Sequence, residues 1–222
     1  MDPFRRIILG KKANILGTGG HARVVASLLL NQKAYQKIQI FELEEFTEGE
    51  RILGLQVIPF SNIYSTLDAL DDEDFFLAIG CNKKRKQYWE ILKEQDLQTP
   101  NLISSSSFVE PSTQLGEGNI ICPQAYIGPC GQIGDNNLLN TSSLIEHESI
   151  VGSHCHMAPK SVLAGRSTLG NSCFVGLGAK IIDKLNVANG TTIGAGACLL
   201  ESISEENRTY VGIPAKNLNI GK

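Results

Sequence analysis

The pattern of apolar and polar positions changes character near residue 100. From Ile103 to Leu199, every sixth residue is aliphatic or Met, seventeen positions in succession, including Ile121, Ile127, Leu139, Ile145, Val151, Met157, Leu163, Val175 and Ile193. The residue after each is often small, as at Gly116, Gly128, Gly134, Gly152, Ala158, Gly170 and Gly194. A second small residue recurs four positions after the aliphatic, as at Ser143, Cys155, Ser161, Cys173 and Ala197. An amphipathic helix needs a period of 3.6, which this series does not fit. Strand side chains alternate with period two, so six residues supply one short strand and one corner. Three such units close a triangular coil of eighteen residues, with the aliphatics stacked inward about 4.8 Å apart. Repeats of this kind decide the architecture and are sought before anything else. Cys155 and Cys173, eighteen apart, then share one interior stack as small buried apolar groups.

Before residue 100 the chain reads as alternating strands and helices. Ala13–Gly17 is a short apolar strand, followed by Gly17-Thr18-Gly19-Gly20-His21-Ala22 and a helical run from Arg23 to Leu30. Further strands are expected at Ile38–Glu42, Leu55–Pro59 and Phe75–Gly80, and helices at Phe60–Leu70 and Asn82–Glu94. That alternation argues a small parallel α/β domain. The spacing Gly17-x-Gly19-x-x-Ala22 matches the loose fingerprint of a phosphate-cradling turn at a helix N-terminus. Glu42 is the acidic candidate that follows such a loop at the end of the next strand. The domain is too short for a complete dinucleotide fold, so no nicotinamide cofactor is expected. Lys83-Lys84-Arg85-Lys86 opens a helix; it reads as a solvated basic face, or, with Arg85 foremost, as a phosphate contact.

Composition narrows the function classes. The 222-residue chain has a formal net charge of −3 and 22 glycines. Without a global basic field, no nucleic-acid partner is expected. No run of about 18 apolar residues occurs, so no membrane insertion is expected. The beginning, Met1–Gly10, lacks a long apolar core and a small-residue cleavage site, so no signal peptide is read there. Six cysteines without a C-x-x-C pair fit a reducing, cytoplasmic location rather than a disulfide framework or a zinc site.

One stretch of the repeat is unusually polar: Asn140-Thr141-Ser142-Ser143-Leu144-Ile145-Glu146-His147-Glu148, then His154 and His156. Three of the four histidines fall in ten residues. Their spacing could in principle hold a metal, but strands and corners do not guarantee convergence, and we expect none. Histidine titrates near neutrality and can accept a proton, and a flanking carboxylate can fix its tautomer. His147 is therefore the candidate general base, with Glu146 or Glu148 as its partner.

These motifs together resemble the hexapeptide-repeat acyltransferases, and among them the nucleotide-sugar N-acetyltransferases of bacterial surface-glycan synthesis, the bacillosamine type above all. The resemblance rests on Gly-x-Gly-Gly-His21 after the first strand, on Ala78-Ile79-Gly80-x-Asn82-x-x-Arg85 and on Asn140 to Glu148 with His156. It extends to the end Val211-Gly212-Ile213-Pro214-Ala215-Lys216, covering residues 13 to 218. It implies a Rossmann-like α/β domain over 1–100, a left-handed parallel β-helix over 101–204, and a C-terminal tail over 205–222. It implies acetyl-CoA as co-substrate, direct attack without an enzyme nucleophile, and a homotrimer. The acceptor it implies is a nucleotide-linked amino sugar, of the 4-amino-4,6-dideoxy class. A sialic-acid-type sugar O-acetyltransferase and a non-catalytic nucleotide-binding scaffold are the alternatives.

Residue by residue, the resemblance makes His147 the base. It puts Gly17, Gly19, Gly20, His21, Glu42, Asn82, Arg85 and Asn140 at the sugar nucleotide. His156, Gly165, Pro214 and Lys216 fall to the coenzyme.

Overall fold

The computed structural model describes residues 11–45, 47–60 and 73–218. The chain divides into two compact units, Met1–Leu102 and Ile103–Lys222. The helix expected over Phe60–Leu70 falls, apart from Phe60, outside the described residues, as does the Met1–Gly10 segment.

The first unit is built on a five-stranded sheet. Its strands are β1 (Lys12–Leu16), β2 (Lys37–Glu42), β3 (Arg51–Ile52), β4 (Leu55–Pro59) and β5 (Asp74–Leu77), ordered β3-β4-β2-β1-β5. Strands β4, β2, β1 and β5 run parallel; β3 joins β4 antiparallel. The β3–β4 turn, Leu53-Gly54, has φ of 50° and 82°. Positive φ at both central residues suits the twist of a two-residue hairpin. Strand β3, absent from the sequence reading, is too short to carry a pattern.

Parallel strands are covered on both faces and read as continuous apolar runs. Accordingly Ala13, Ile15 and Leu16 of β1 and Phe75, Phe76 and Leu77 of β5 are all buried. Helix α1 (Gly20–Gln32) buries Ala22, Val25, Ala26, Leu28 and Leu29, and helix α2 (Asn82–Glu94) buries Arg85, Trp89 and Leu92.

The second unit is the parallel coil that the period of six predicts. Seventeen two-residue strands run from Leu102–Ile103 to Cys198–Leu199, and the aliphatic series occupies the second residue of each. Up to Lys180–Ile181, each strand pairs in parallel with the one eighteen residues on: Ile127 with Ile145, Leu139 with Met157, Val151 with Leu169. Three flat faces result. The first carries Tyr126–Ile127 and Leu144–Ile145, the second Gln132–Ile133 and Ile150–Val151, the third Leu138–Leu139 and His156–Met157. Ile121, Leu139, Met157, Leu163, Val175 and Ile193 are fully buried inside, as are Cys155 and Cys173. Burial pushes the nearby Cys122 thiol up to about 12, so it stays protonated and unreactive.

The corners are as regular as the strands. Every sixth residue from Gly118 to Gly196 has positive φ, including Gln124, Glu148, His154 and Arg166, with φ from 53° to 67°. An L-residue in this region costs about 1 kcal/mol, so something must hold it there. Backbone bonds between coils do so: Glu148 N–H donates to Pro129 O at 2.8 Å, and Arg166 N–H to His147 O at 3.0 Å.

At the corner between the second and third faces, side chains form a further ladder. The N–H groups of Glu117, Asp135, Ser153 and Asn171 donate to side-chain oxygens of Asp135, Ser153, Asn171 and Asn189, at 2.8, 3.0, 2.8 and 2.8 Å. The small residue of the repeat is explained here. A Cβ on Gly116, Gly134, Gly152 or Gly170 would lie 2.3 to 2.6 Å from one of those oxygens.

The C-terminal segment continues the coil rather than leaving it. Thr209–Val211 pairs in parallel beyond Thr192–Ile193 and turns back antiparallel to Lys216–Asn217. Ala215 N–H closes onto Cys198 O at 2.7 Å.

Gly170→Ala should cost about 1–3 kcal/mol, because the added methyl displaces the Asn189 side chain from the Asn171 N–H. Urea unfolding of the two proteins measures it, and equal midpoints would contradict the steric account. Val175→Asp, which buries an unpaired carboxylate at a position with no exposure, should prevent folding of the coil. Circular dichroism and solubility report that outcome.

Candidate functional site

The polar stretch is distributed by the coil. Asn140 follows the third face and stands at the corner leading to the first. His147 and Glu148 stand at the next corner, between the first and second faces. His154 lies at the third corner, its Nδ1 2.9 Å from Asn136 Nδ2, and His156 points outward from the third face. The three histidines are thus parted among two corners and a face. No group of three or more metal-ligating side chains forms among the described residues.

At the His147 corner, residues eighteen apart stack in columns. His147 Nδ1 lies 3.0 Å from Glu148 Oε2. The same oxygen accepts Arg166 Nε–H at 2.9 Å. The Arg166 guanidinium, and after it His147, hold the Glu148 carboxyl below the usual carboxylate range. Ionised, it is an acceptor only, so a neutral His147 presents its Nδ1–H to it. Nε2 then carries the free lone pair.

The choice between the two glutamates is thereby made for this arrangement. Glu148 meets the imidazole, whereas Glu146 accepts only the His147 backbone N–H, at 3.4 Å. Gly165 lies one coil below His147, and a Cβ there would stand 2.6 Å from Nε2 and 2.7 Å from Cε1. Gly165 has an ordinary φ. Its missing side chain is therefore a matter of room for the ring, beyond the cofactor contact read from sequence.

Asn140 and His156 form a second cluster. Asn140 Oδ1 accepts the Thr141 N–H at 2.8 Å, and its Nδ2 stands 3.4 Å from His156 Nε2. Phe174, eighteen residues on, meets the His156 ring edge to face at 5.1 Å. Pro214 and Lys216 lie in the closing hairpin of the coil, Lys216 opposite Val211.

In the first unit, Gly17 ends β1 with φ 107°, its N–H on Phe41 O at 2.9 Å. A Cβ on Gly17 would press the Ala78 carbonyl at 3.2 Å, whereas Gly19 and Gly20 face open space. Gly19 is the N-cap of α1, and no acidic side chain occupies the first turn. A bare helix N-terminus of this kind favours an anion. His21 is half-buried in that first turn. Glu42 Oε2 accepts the Thr18 hydroxyl, and its Oε1 the Glu44 N–H at 2.8 Å. Burial pushes the Glu42 carboxyl up, but Thr18, the backbone N–H groups of Glu44 and Leu43, and Lys84 outweigh it and hold it down. Glu42 therefore clasps the glycine loop as an anion.

Arg85 departs from expectation. It is 1% exposed, so it is neither part of a solvated basic face nor open to a phosphate. Its guanidinium donates to Ile79 O at 3.1 Å and to Asn82 Oδ1 at 2.9 Å. A buried cation is costly unless its donors are satisfied, and here they tie down the turn after β5. Asn82 is committed to the same turn. Arg166 is the residue that the sequence reading missed, although its place eighteen after Glu148, with opposite charge, was a usable signal.

Residues 12–92 match the family model of the PglD N-terminal domain. Among solved structures, the chain is similar to the acetyltransferase domain of PglB from Neisseria gonorrhoeae FA1090 in complex with acetyl coenzyme A. The identity is 29% and the TM-score 0.87, covering 94% of this chain and 100% of that one. It is also similar to a histidine-to-asparagine variant of perosamine N-acetyltransferase from Caulobacter crescentus, in complex with CoA and GDP-perosamine. There the identity is 28% and the TM-score 0.87, over 95% and 98% of the two chains. WeeI from Acinetobacter baumannii AYE, 21% identical with a TM-score of 0.85, shares the fold. No curated protein sequence matches significantly.

Gly165→Ala should push the imidazole of His147 away and break its contact with Glu148, with the coil otherwise intact. Ring resonances of His147 report this, and an unmoved ring with an unchanged Glu148 contact would contradict it.

Proposed function

We propose that this chain, a hexapeptide-repeat β-helix protein with a PglD-type N-terminal domain, is an acetyl-CoA-dependent N-acetyltransferase. Its acceptor is a nucleotide-linked amino sugar of surface-glycan synthesis, acetylated at a 4-amino group. The observation that carries the reading is the His147 corner, where Glu148 holds Nδ1 and leaves Nε2 as a proton acceptor. Relatives of 28–29% identity, whose structures hold acetyl coenzyme A, or CoA with GDP-perosamine, support it over nearly the whole chain.

In this reading the sugar amine attacks the thioester carbon directly. A carbon–nitrogen bond forms, the carbon–sulfur bond breaks, and CoA leaves as its thiol. His147 Nε2 takes the proton that the attacking amine gives up and passes it to the departing sulfur. A positioned general base of this type contributes about 10²–10⁴ in rate. Buried thiols such as Cys122, Cys155 and Cys173 take no part.

Gly19 and Gly20, at the bare N-terminus of α1, receive the nucleotide phosphates, and Glu42 and His21 lie beside that loop. Asn82 and Arg85 act by shaping the neighbouring turn. Asn140 serves the acceptor; His156, Gly165, Pro214 and Lys216 serve the coenzyme. We take the working form to be a cytoplasmic homotrimer. Phe108 and Ile150, 55% and 40% exposed on the first and second faces, offer apolar surface for such packing. No described helix is long and apolar enough to cross a membrane.

Incubated with acetyl-CoA and a panel of UDP-, dTDP- and GDP-linked amino sugars, the protein should release thiol with at least one acceptor. Free sialic acids should remain inert. His147→Ala should lower kcat by about 10²–10⁴ while the circular dichroism spectrum is unchanged. A folded His147→Ala protein with wild-type turnover would remove the general base from this account.

A further inference from the structure

Arg166 lies outside every role assigned above, yet it is bound to the catalytic corner twice. Its backbone N–H donates to His147 O at 3.0 Å, and its Nε–H donates to Glu148 Oε2 at 2.9 Å. That carboxylate oxygen is the one 3.0 Å from His147 Nδ1. Glu148 and Arg166 occupy equivalent corner positions of successive coils, with φ of 57° and 60°. The backbone therefore presents the two side chains in register.

Stability is a weak reason for the pair. Arg166 and Glu148 are 57% and 48% exposed, and ion pairs in such settings contribute little to folding. Position is a stronger reason. An exposed glutamate has several staggered rotamers, most of which carry its carboxylate away from the neighbouring ring. Two donors converging on one oxygen select a single arrangement, and the guanidinium keeps that oxygen anionic.

We propose that Arg166 is a positioning residue for the acyl transfer: it pins Glu148, and Glu148 fixes the tautomer and orientation of His147. This rests on the reading of His147 as the base. Arg166 touches no reacting atom and acts only through the carboxylate.

The test is a double-mutant cycle on the full-length protein with Arg166→Met, Arg166→Lys, Glu148→Gln and the Glu148→Gln/Arg166→Met pair. Arg166→Met should lower kcat about three- to tenfold, with KM for acetyl-CoA and for the sugar nucleotide within about twofold of wild type. Arg166→Lys, which keeps the charge but loses the Nε donor, should recover part of the loss. In the Glu148→Gln background, Arg166→Met should change nothing further. Nitrogen-15 spectra of the His147 ring at a pH where it is neutral provide a readout without turnover. The wild type should hold the proton on Nδ1, and Arg166→Met should show a mixture of tautomers. Equal losses in both backgrounds, a change confined to KM, or ring shifts identical in wild type and Arg166→Met would overturn the proposal. If the wild type acetylates no acceptor, the function reading fails, while the ring spectra still decide whether Arg166 governs the tautomer.

Discussion

The registration of one coil upon the next, eighteen residues apart, is the constraint on which the second unit depends. Two-residue strands are too short to define a sheet alone; their bonds become a ladder because successive coils, up to Cys198–Leu199, keep the same length. The aliphatic at each sixth position satisfies this by filling the interior at a fixed height, and the positive-φ corner satisfies it by turning the chain at a fixed place. A side chain set at a corner therefore has a known neighbour above and below. His147 over Gly165 and Glu148 against Arg166 are both products of that rule. A chemical site made this way requires no long-range loop, because stacking supplies the contacts.

The first unit works from a different physics. There the strands are buried on both faces, and the glycine loop sits where β1 ends and α1 begins. Gly17 is required by its backbone angle and by the nearby Ala78 carbonyl, whereas Gly19 and Gly20 have space around them. The glycines of one loop therefore answer to two demands, one conformational and one of access. Glu42 and Arg85 both brace turns at this end of the sheet, one from β2 and one from α2.

Much of this was legible in the sequence. The six-residue period located all seventeen strands, because a single interior position repeats without exception. Four of the five strands of the first sheet were legible from apolar runs, and β3 was not, since two residues carry no period. The polar stretch from Asn140 to His156 looked like one cluster because sequence proximity hides the corner between Ile145 and Ile150. Folding parts it, setting Asn140 with His156 and His147 with Glu148. The lysines around Arg85 suggest a solvated face, yet Arg85 itself is buried. Its spacing to Trp89 and Leu92, four and seven residues, is that of a buried helix face. The glutamate partner of His147 was not legible, because it depends on a corner torsion that puts Glu148 beside the ring and turns Glu146 to the backbone.

The oxygen ladder of Asp135, Ser153, Asn171 and Asn189 has a consequence for how such a chain can change length. Each rung reaches one coil, and each depends on a glycine at the same height. Losing one residue would put out of phase only the rungs that span the gap, because pairs lying wholly before or after it stay eighteen apart. The last turn absorbs such a shortening: Val187 pairs with Ile203, sixteen residues on, and Ile193 with Tyr210, seventeen residues on. A residue such as His147 therefore keeps its corner through any change made in complete turns, whereas a change of one residue is borne by the coil that contains it.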